Sequence, residues 1–393
     1  MCLIPKGDKD RRYLANLRPL TLLNCMYKLI SGVISDRINN QLPNLISIDQ
    51  NGFVKGRSIQ ESLRNTYDII NYVNNKKIKS IILLIDFKKA FDTISHKFIE
   101  STLKIYNFGE NIIKWVNILL SDFMVCCNNG GHLSENFKLQ RGSKQGDPIS
   151  TALFTLCIEI LAIKLKNTEG IKGITINNIT ALISLFADDI TLFLEHDEMN
   201  LKKVIEVLKD FKYISGLEIQ TNKTIACTVG TKENNNIEKN IICKEENLQW
   251  SDKFTLLGVD FDANLEKMNK NIQDKISTWA KIIKHWSYKK CTPIGRVNIV
   301  RTFLLSKLNH IAMVYPVLEN LNIAELEKNI YNFIWGGSKS MKKDDVKANY
   351  NVGGLNFPDV ATSLKSFNVS WLRRIRKGME TNATLKTEAD SRK

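Results

Sequence analysis

Residues 182–194 read Leu182-Ile183-Ser184-Leu185-Phe186-Ala187-Asp188-Asp189-Ile190-Thr191-Leu192-Phe193-Leu194. Two apolar, β-prone segments flank a two-acid tip, and this pattern predicts a hairpin that carries both carboxylates at its turn. Taken alone, an Asp-Asp tip is also ordinary turn chemistry. A second stretch adds to it. Ser80-Ile81-Ile82-Leu83-Leu84-Ile85 is a short apolar run that reads as a buried strand and ends abruptly in Asp86. Burial raises the free energy of a carboxylate unless cations or hydrogen bonds compensate.

If strand and hairpin are neighbours in one sheet, Asp86, Asp188 and Asp189 converge from about 100 positions apart on one patch of oxygen ligands. Such a patch suits Mg²⁺, which takes few carboxylates and completes its shell with waters and substrate phosphates. Two such ions about 3.5–4 Å apart can activate a 3′-hydroxyl and stabilise a leaving pyrophosphate. Between the two acid segments, Gln140-Arg141-Gly142-Ser143-Lys144-Gln145-Gly146-Asp147-Pro148-Ile149-Ser150 places a basic, glycine-containing loop before a helix. The free N–H groups of a helix N-terminus suit a phosphate. Gly-Asp-Pro is also a common entry from loop to helix.

Around this centre, apolar spacing predicts helices in Leu20-Leu23-Tyr27-Ile30-Val33-Ile34-Ile38 and Ile59-Leu63-Tyr67-Ile70-Val73. Helices are expected at 97–106 and 110–120, a strand pair at 123–128 and 136–140, and a long helix at 149–165 with Pro148 in its first turn. A helix at 199–213 and strands near 218–229 and 254–260 follow. Helices at 264–286, 293–310 and 322–335, rich in Lys and Trp, then dominate.

Of the 393 residues, 56 are Lys or Arg and 41 Asp or Glu, for a net charge of +15. A chain that is 43% hydrophobic with seven Pro can bury a core and is not a disordered polymer. The positive excess favours a polyanionic partner, although a basic soluble surface has the same composition. The eight cysteines form no Cys-x-x-Cys pair and none stands at zinc spacing from a His, so free thiols in a reducing compartment, nucleus or cytoplasm, are expected. No apolar run approaches about 18 residues, so no membrane partner is expected.

Three segments together, Leu84-Ile85-Asp86-Phe87-Lys88-Lys89-Ala90-Phe91-Asp92, Arg141–Ser150 and Phe186-Ala187-Asp188-Asp189, resemble the A, B and C motifs of reverse transcriptases from non-LTR (LINE-type) retrotransposons. Leu3–Lys6 with Asn16–Asn24, and Gln50–Ser58, are similar to the family's fingers motifs, and Gly216–Thr224 to its D motif. Phe254–Val259 resembles the strand before the thumb, and Phe333–Gly337 with Gly353–Asp359 the post-thumb region. The likeness covers roughly residues 3–376. Group II intron maturases are a related reading, less favoured by Lys88–Asp92 and Phe333–Pro358.

The resemblance implies an α+β right-hand polymerase: fingers over 1–79, palm over 80–260, helical thumb over 261–335, and a post-thumb segment with a polar tail over 336–393. It implies RNA-directed DNA synthesis on an RNA template, from a DNA primer or nicked target DNA, with deoxynucleoside triphosphates and two Mg²⁺ ions, Mn²⁺ being a possible substitute. Asp86 and Asp188 would hold both ions with the Phe87 carbonyl, and Asp189 would support them. Phe91 falls at the steric-gate position against a ribose 2′-hydroxyl, or is a core aromatic, or both. Gln145 and Gly146 would border the incoming nucleotide, and Lys223 would be a general acid to pyrophosphate. Arg18 is a candidate for the triphosphate and Arg57 for phosphate contact. Lys275, Lys281 and Arg296, in the Lys/Trp-rich helices, are candidates to track a nucleic-acid backbone. His96 is expected to be structural. The match starts almost at Met1 and ends without a Cys/His-rich tail, which gives the expectation of an N-terminally truncated copy without endonuclease. A catalytically silent, nucleic-acid-binding fragment is the alternative function.

Overall fold

The computed structural model describes residues 1–7, 10–121, 124–176, 178–230, 248–315, 321–336 and 342–390. Phe123 and Gly337, used above, and Cys243, one of the eight cysteines, lie outside the described residues. The chain divides into two compact units: residues 1–65 with 70–257, and residues 66–69 with 258–393.

The first unit opens with β1 (Cys2–Pro5), which pairs antiparallel with β2 (Leu17–Leu20). α1 (Cys25–Asn39) starts where the Asn24 side chain accepts the Tyr27 N–H at 3.0 Å, an N-cap that satisfies one free donor of the first turn. The apolar spacing from Leu20 therefore overran the helix start: Leu20 is strand, and Asn24 marks the boundary. After α2 (Leu42–Leu45), α3 (Ile59–Lys76) ends on a left-handed Lys77 and leads into β3 (Ser80–Ile85), with the bounds the apolar run predicted. The single turn α4 (Ala90–Thr93), α5 (His96–Ile105) and α6 (Glu110–Leu120) follow.

The expected strand pair is much shorter than its apolar pattern, with β4 (Met124–Val125) pairing β7 (Phe137–Lys138). The residues between form the small β5 (Asn128–Asn129) and β6 (His132–Leu133), where Asn128-Asn129-Gly130-Gly131 turns the chain. α7 (Ser150–Asn167) is buried nearly all round. Its cap is Ile149, so Pro148 stands just outside the helix and not in its first turn. A residue before proline is disfavoured from helical geometry, which leaves Asp147 in the loop. β8 (Ile174–Ile176) pairs β9 (Ile179–Ala181), and β10 (Ile183–Phe186) pairs β11 (Asp189–Glu195) as the predicted hairpin.

α8 (Glu198–Ser215) ends at Gly216, whose φ of +79° suits a glycine C-cap. The strand expected from 218 begins only at β12 (Ile225–Val229), because Thr221-Asn222-Lys223 forms a 3₁₀ turn. The central sheet has the order β10-β11-β3-β12-β13, with β13 at Gln249–Trp250. On one face Ile81, Leu83 and Ile85 of β3 and Ile190, Leu192 and Leu194 of β11 join a core with α5, α7 and α8. That is the period of two a pleated strand requires. The unit ends in β14 (Lys253–Leu256).

The second unit begins with β15 (Val259–Asp262) and is otherwise helical: Met268–Ser287, Pro293–Ala312 with a π-helical stretch at Val300–Leu305, Ile323–Trp335 and Val360–Asp390. Lys347 joins Asp359 at 2.5 Å and Glu327 at 3.9 Å, tying the segment after Trp335 to the helix before it. Among the described residues no helix is long and apolar enough to cross a membrane.

Candidate active site

β11 pairs with β3 so that Ile190 faces Ile85, and one further step of this antiparallel register sets Asp189 across from Asp86. Phe186 pairs Asp189, so Ala187 and Asp188 are the two-residue loop of the hairpin. Ala187 has φ +57°, at a loop position where glycine is the usual occupant. On the other side of β3, the register of β12 brings in the turn before it, and Lys223 Nζ lies 3.3 Å from Asp86 Oδ2. The sheet therefore gathers all three acids and Lys223 at one end. Lys88 N–H donates to the Glu218 carbonyl and Gln220 N–H to the Asp86 carbonyl, both at 2.8 Å, and neither bond uses the Phe87 carbonyl.

The electrostatics are those of an undercompensated anionic patch. Burial, and then Asp86, hold the Asp188 carboxyl above its ordinary range. Asp189, whose side chain still reaches solvent, is pushed up to about 6, first by burial and then by Asp188 and Asp86. Among the described residues no three carboxylate, thiolate or imidazole groups converge closely enough to form a metal cage. Hard oxygen donors in excess negative charge, without a closed cage, fit Mg²⁺ held by few protein ligands. The linkage sign follows: a carboxyl whose pKa is raised in the fold binds protons that the unfolded chain does not, so stability is lost as pH rises through about 4–6. Asp189→Asn is accordingly expected to raise the thermal midpoint of the metal-free chain at pH 7.5 and leave it unchanged at pH 4; a thermal melt at both pH values checks this.

The loop at 141–147 is stitched to the segment after β3. Gly142 N–H donates to Ile94 O at 2.8 Å, Ser143 N–H to Phe91 O at 2.7 Å, and His96 Nε2 lies 2.9 Å from Gly142 O, the structural place expected for His96. A Cβ on Gly142, at φ +81°, would meet the Asp92 carbonyl at 2.6 Å. Gln145 Nε2 donates to Asp92 Oδ1 at 3.3 Å, and Gly146 is exposed at φ +101°. Phe91 is half-buried and stacks on Phe154 with centroids 4.4 Å apart, so its core contact is real.

Nothing in the primary structure singled out the network beneath this loop. Lys144 Nζ donates to the Tyr27 hydroxyl at 2.8 Å and to Leu119 O at 2.6 Å. The Tyr27 O–H donates to Asp147 Oδ2 at 2.7 Å, and Ser31 Oγ donates to Asp147 Oδ1. Lys144 and Asp147 are each 5% exposed, and burial pulls the Lys144 ammonium down to about 8 despite Asp147.

The cationic candidates separate. Arg18 is exposed on β2, opposite Ile4. Arg57 is not placed as a free phosphate ligand: Nη1 donates to the Ser47 and Gln50 carbonyls and Nη2 to Ile46 O at 2.9 Å. Its guanidinium is occupied in bracing the chain at 46–50. In the second unit Lys275 is half-buried and Lys281 exposed. Arg296 turns inward, donating to Phe333 O at 2.9 Å with its guanidinium 5.7 Å from the Phe333 ring. One guanidinium nitrogen thus joins the helix at Pro293–Ile299 to the one at Ile323–Trp335.

A family model described as "Reverse transcriptase (RNA-dependent DNA polymerase)" matches residues 4–261. The chain belongs to the reverse transcriptase family. It is 22% identical over 384 residues to the "Transposon TX1 uncharacterized 149 kDa protein" of Xenopus laevis, covering 95% of this chain and 28% of that one. It is 26% identical over 318 residues to the Pol polyprotein of retrotransposable element R2 of Popillia japonica, covering 78% of this chain and 43% of that one. The chain thus spans less than half the length of either relative. A solved telomerase of Candida albicans superposes over 85% of the chain and 57% of its own, with a TM-score of 0.47 and 11% identity. The non-LTR retrotransposon affinity implied by the motifs holds, and the described residues form the expected mixture of helices and largely antiparallel sheet.

Proposed function

We propose that this chain is a working RNA-directed DNA polymerase of the LINE type, which extends a DNA 3′-hydroxyl on an RNA template by two-metal phosphoryl transfer. The observation that carries the reading is the register that brings Asp86, Asp188 and Asp189 to one end of the sheet. Residues 1–79 would serve as fingers, 80–260 as palm and 261–335 as thumb, with the rest following the thumb.

Asp86 and Asp188 would hold the two Mg²⁺ ions with the Phe87 carbonyl, and Asp189 would add to the negative field. Bound there, the ions would supply Lewis acidity to the attacking 3′-oxygen and the leaving pyrophosphate. Lys223, 3.3 Å from Asp86, is near enough to exchange that ion pair for a proton donation toward pyrophosphate. Gln145 and Gly146 present one amide side chain and one open backbone to the nucleotide, and exposed Arg18 serves the triphosphate. Lys275 and Lys281 would track the phosphate backbone of the template–primer.

Phe91, locked against Phe154, is rigid enough to gate the sugar. Phe91→Ala is expected to admit ribonucleotides, read as a rise in ribonucleotide over deoxyribonucleotide kcat/KM; unchanged sugar discrimination would leave Phe91 a core residue. The overall reading is tested by primer extension with purified chain, RNA template, DNA primer, deoxynucleotides and Mg²⁺. Template-dependent extension supports it. Salt-sensitive binding without extension would instead favour a silent nucleic-acid-binding fragment.

A further inference from the structure

We infer that Gln50 is a positioning residue that holds the acid-bearing turn in register. The inference rests on the reading of Asp188 as a metal-binding acid. Residues 49–52 run beside β10 as a short parallel bridge, with Leu185 N–H donating to Asp49 O and Asn51 N–H to Leu185 O, both at 2.8 Å. The Gln50 side chain is fully buried. Its Oε1 accepts the Gly52 N–H at 2.8 Å and the Ala187 N–H at 3.2 Å. Among the described residues its Nε2 has no hydrogen-bond partner, and the contacts of this amide to the turn run through its oxygen.

Ala187 needs an external holder. A left-handed alanine costs about 1–2 kcal/mol, and such a conformation persists only where the surroundings over-determine it. Gln50 supplies that restraint from outside the hairpin, one residue before Asp188. Gly52 lets the two backbones approach: a Cβ there would lie 2.3 Å from Ala187 N and 3.0 Å from the Phe186 carbonyl carbon.

The 46–52 segment is itself fixed from behind. The Arg57 guanidinium binds the carbonyls of Ile46, Ser47 and Gln50, the Ser47 N–H donates to Glu159 Oε1 at 3.1 Å, and Asn51 Nδ2 donates to Ser62 Oγ at 2.9 Å. Glu159 is 1% exposed on α7. A line of buried and part-buried contacts therefore runs from α7 through the loop to the turn, and Arg57 and Gln50 belong to one scaffold.

The test compares wild type, Gln50→Met, Gly52→Ala and Gln50→Met with Ala187→Gly in steady-state primer extension and in template–primer binding. Met fills the same space but accepts no hydrogen bond. The expected result is a kcat loss on the order of 100-fold in Gln50→Met, the scale for about 1 Å of misplacement, with nucleotide KM and template–primer Kd unchanged. Gly52→Ala is expected to show the same split, which keeps the inference testable if Gln50→Met does not fold. Adding Ala187→Gly, which takes positive φ without penalty, should restore most of the kcat. Wild-type kcat in Gln50→Met, parallel losses in kcat, KM and Kd, or absence of rescue by Ala187→Gly would overturn the positioning role. A wild-type chain that does not extend would instead overturn the polymerase reading on which it rests.

Discussion

Asp188→Ala is expected to abolish nucleotide addition, by more than about 1,000-fold, while template–primer binding survives with its salt dependence intact. On the proposed reading the acid would act on charge that develops in the transition state, where a metal-held oxygen would carry several kcal/mol of stabilisation. On the same reading, binding of the duplex would depend on Lys and Arg at phosphates, which release counterions, and not on this carboxylate. Burial and Asp86 hold the Asp188 carboxyl above its ordinary range, so its removal also takes away one charge of the anionic patch. Single-turnover extension and a binding titration at two salt concentrations check both halves. Equal losses of synthesis and binding would sink the assignment.

Asp147→Ala is expected to lower folding stability by about 3–5 kcal/mol, the scale for removing one partner of a buried charged pair. The Lys144 ammonium would remain in the interior with Tyr27 and Leu119 O but without its counter-charge, and Ser31 and Tyr27 would lose their acceptor. Replacing both buried charges, Lys144→Met with Asp147→Leu, should recover much of that loss, because interacting buried charges are often matched by apolar residues of similar volume. Urea midpoints of the single and double variants measure both. A loss below about 1 kcal/mol in Asp147→Ala would mean that the network is not a stability element.

Elements whose physics is local were legible in the residues. β3 was marked by an unbroken apolar run ending in Asp86, and the β10–β11 hairpin by two apolar arms around Asp188-Asp189, because pairing and burial select such runs directly. α1 shows the limit of periodicity: its buried face holds Ser31, Ile34, Ser35 and Ile38, while Met26, Leu29 and Val33 are exposed. The apolar spacing located a helix there, but not which side meets the core. Ser31 and Ser35 are buried because distant groups accept from them, Asp147 and the Pro148 carbonyl, and no window of local sequence contains those partners.

The site divides in the same way. Asp86, Asp188 and Asp189 are proposed from segment endings and Lys223 from its likeness to a family motif, and what the structure adds is that the sheet gathers them at one end. Arg57 and Arg296 were equally visible as cations, yet in the folded chain both donate to backbone carbonyls, contacts that no local window of sequence contains. The Tyr27–Lys144–Asp147 network and the Gln50 contact to Ala187 arise only when segments 117 to 137 positions apart meet. By itself the sequence determined the acid-bearing strand, the hairpin and the family to which they belong. The fold alone decided which polar side chains are spent holding those acids in place, since a hydrogen bond is fixed by distance and direction in space and leaves no period in the chain.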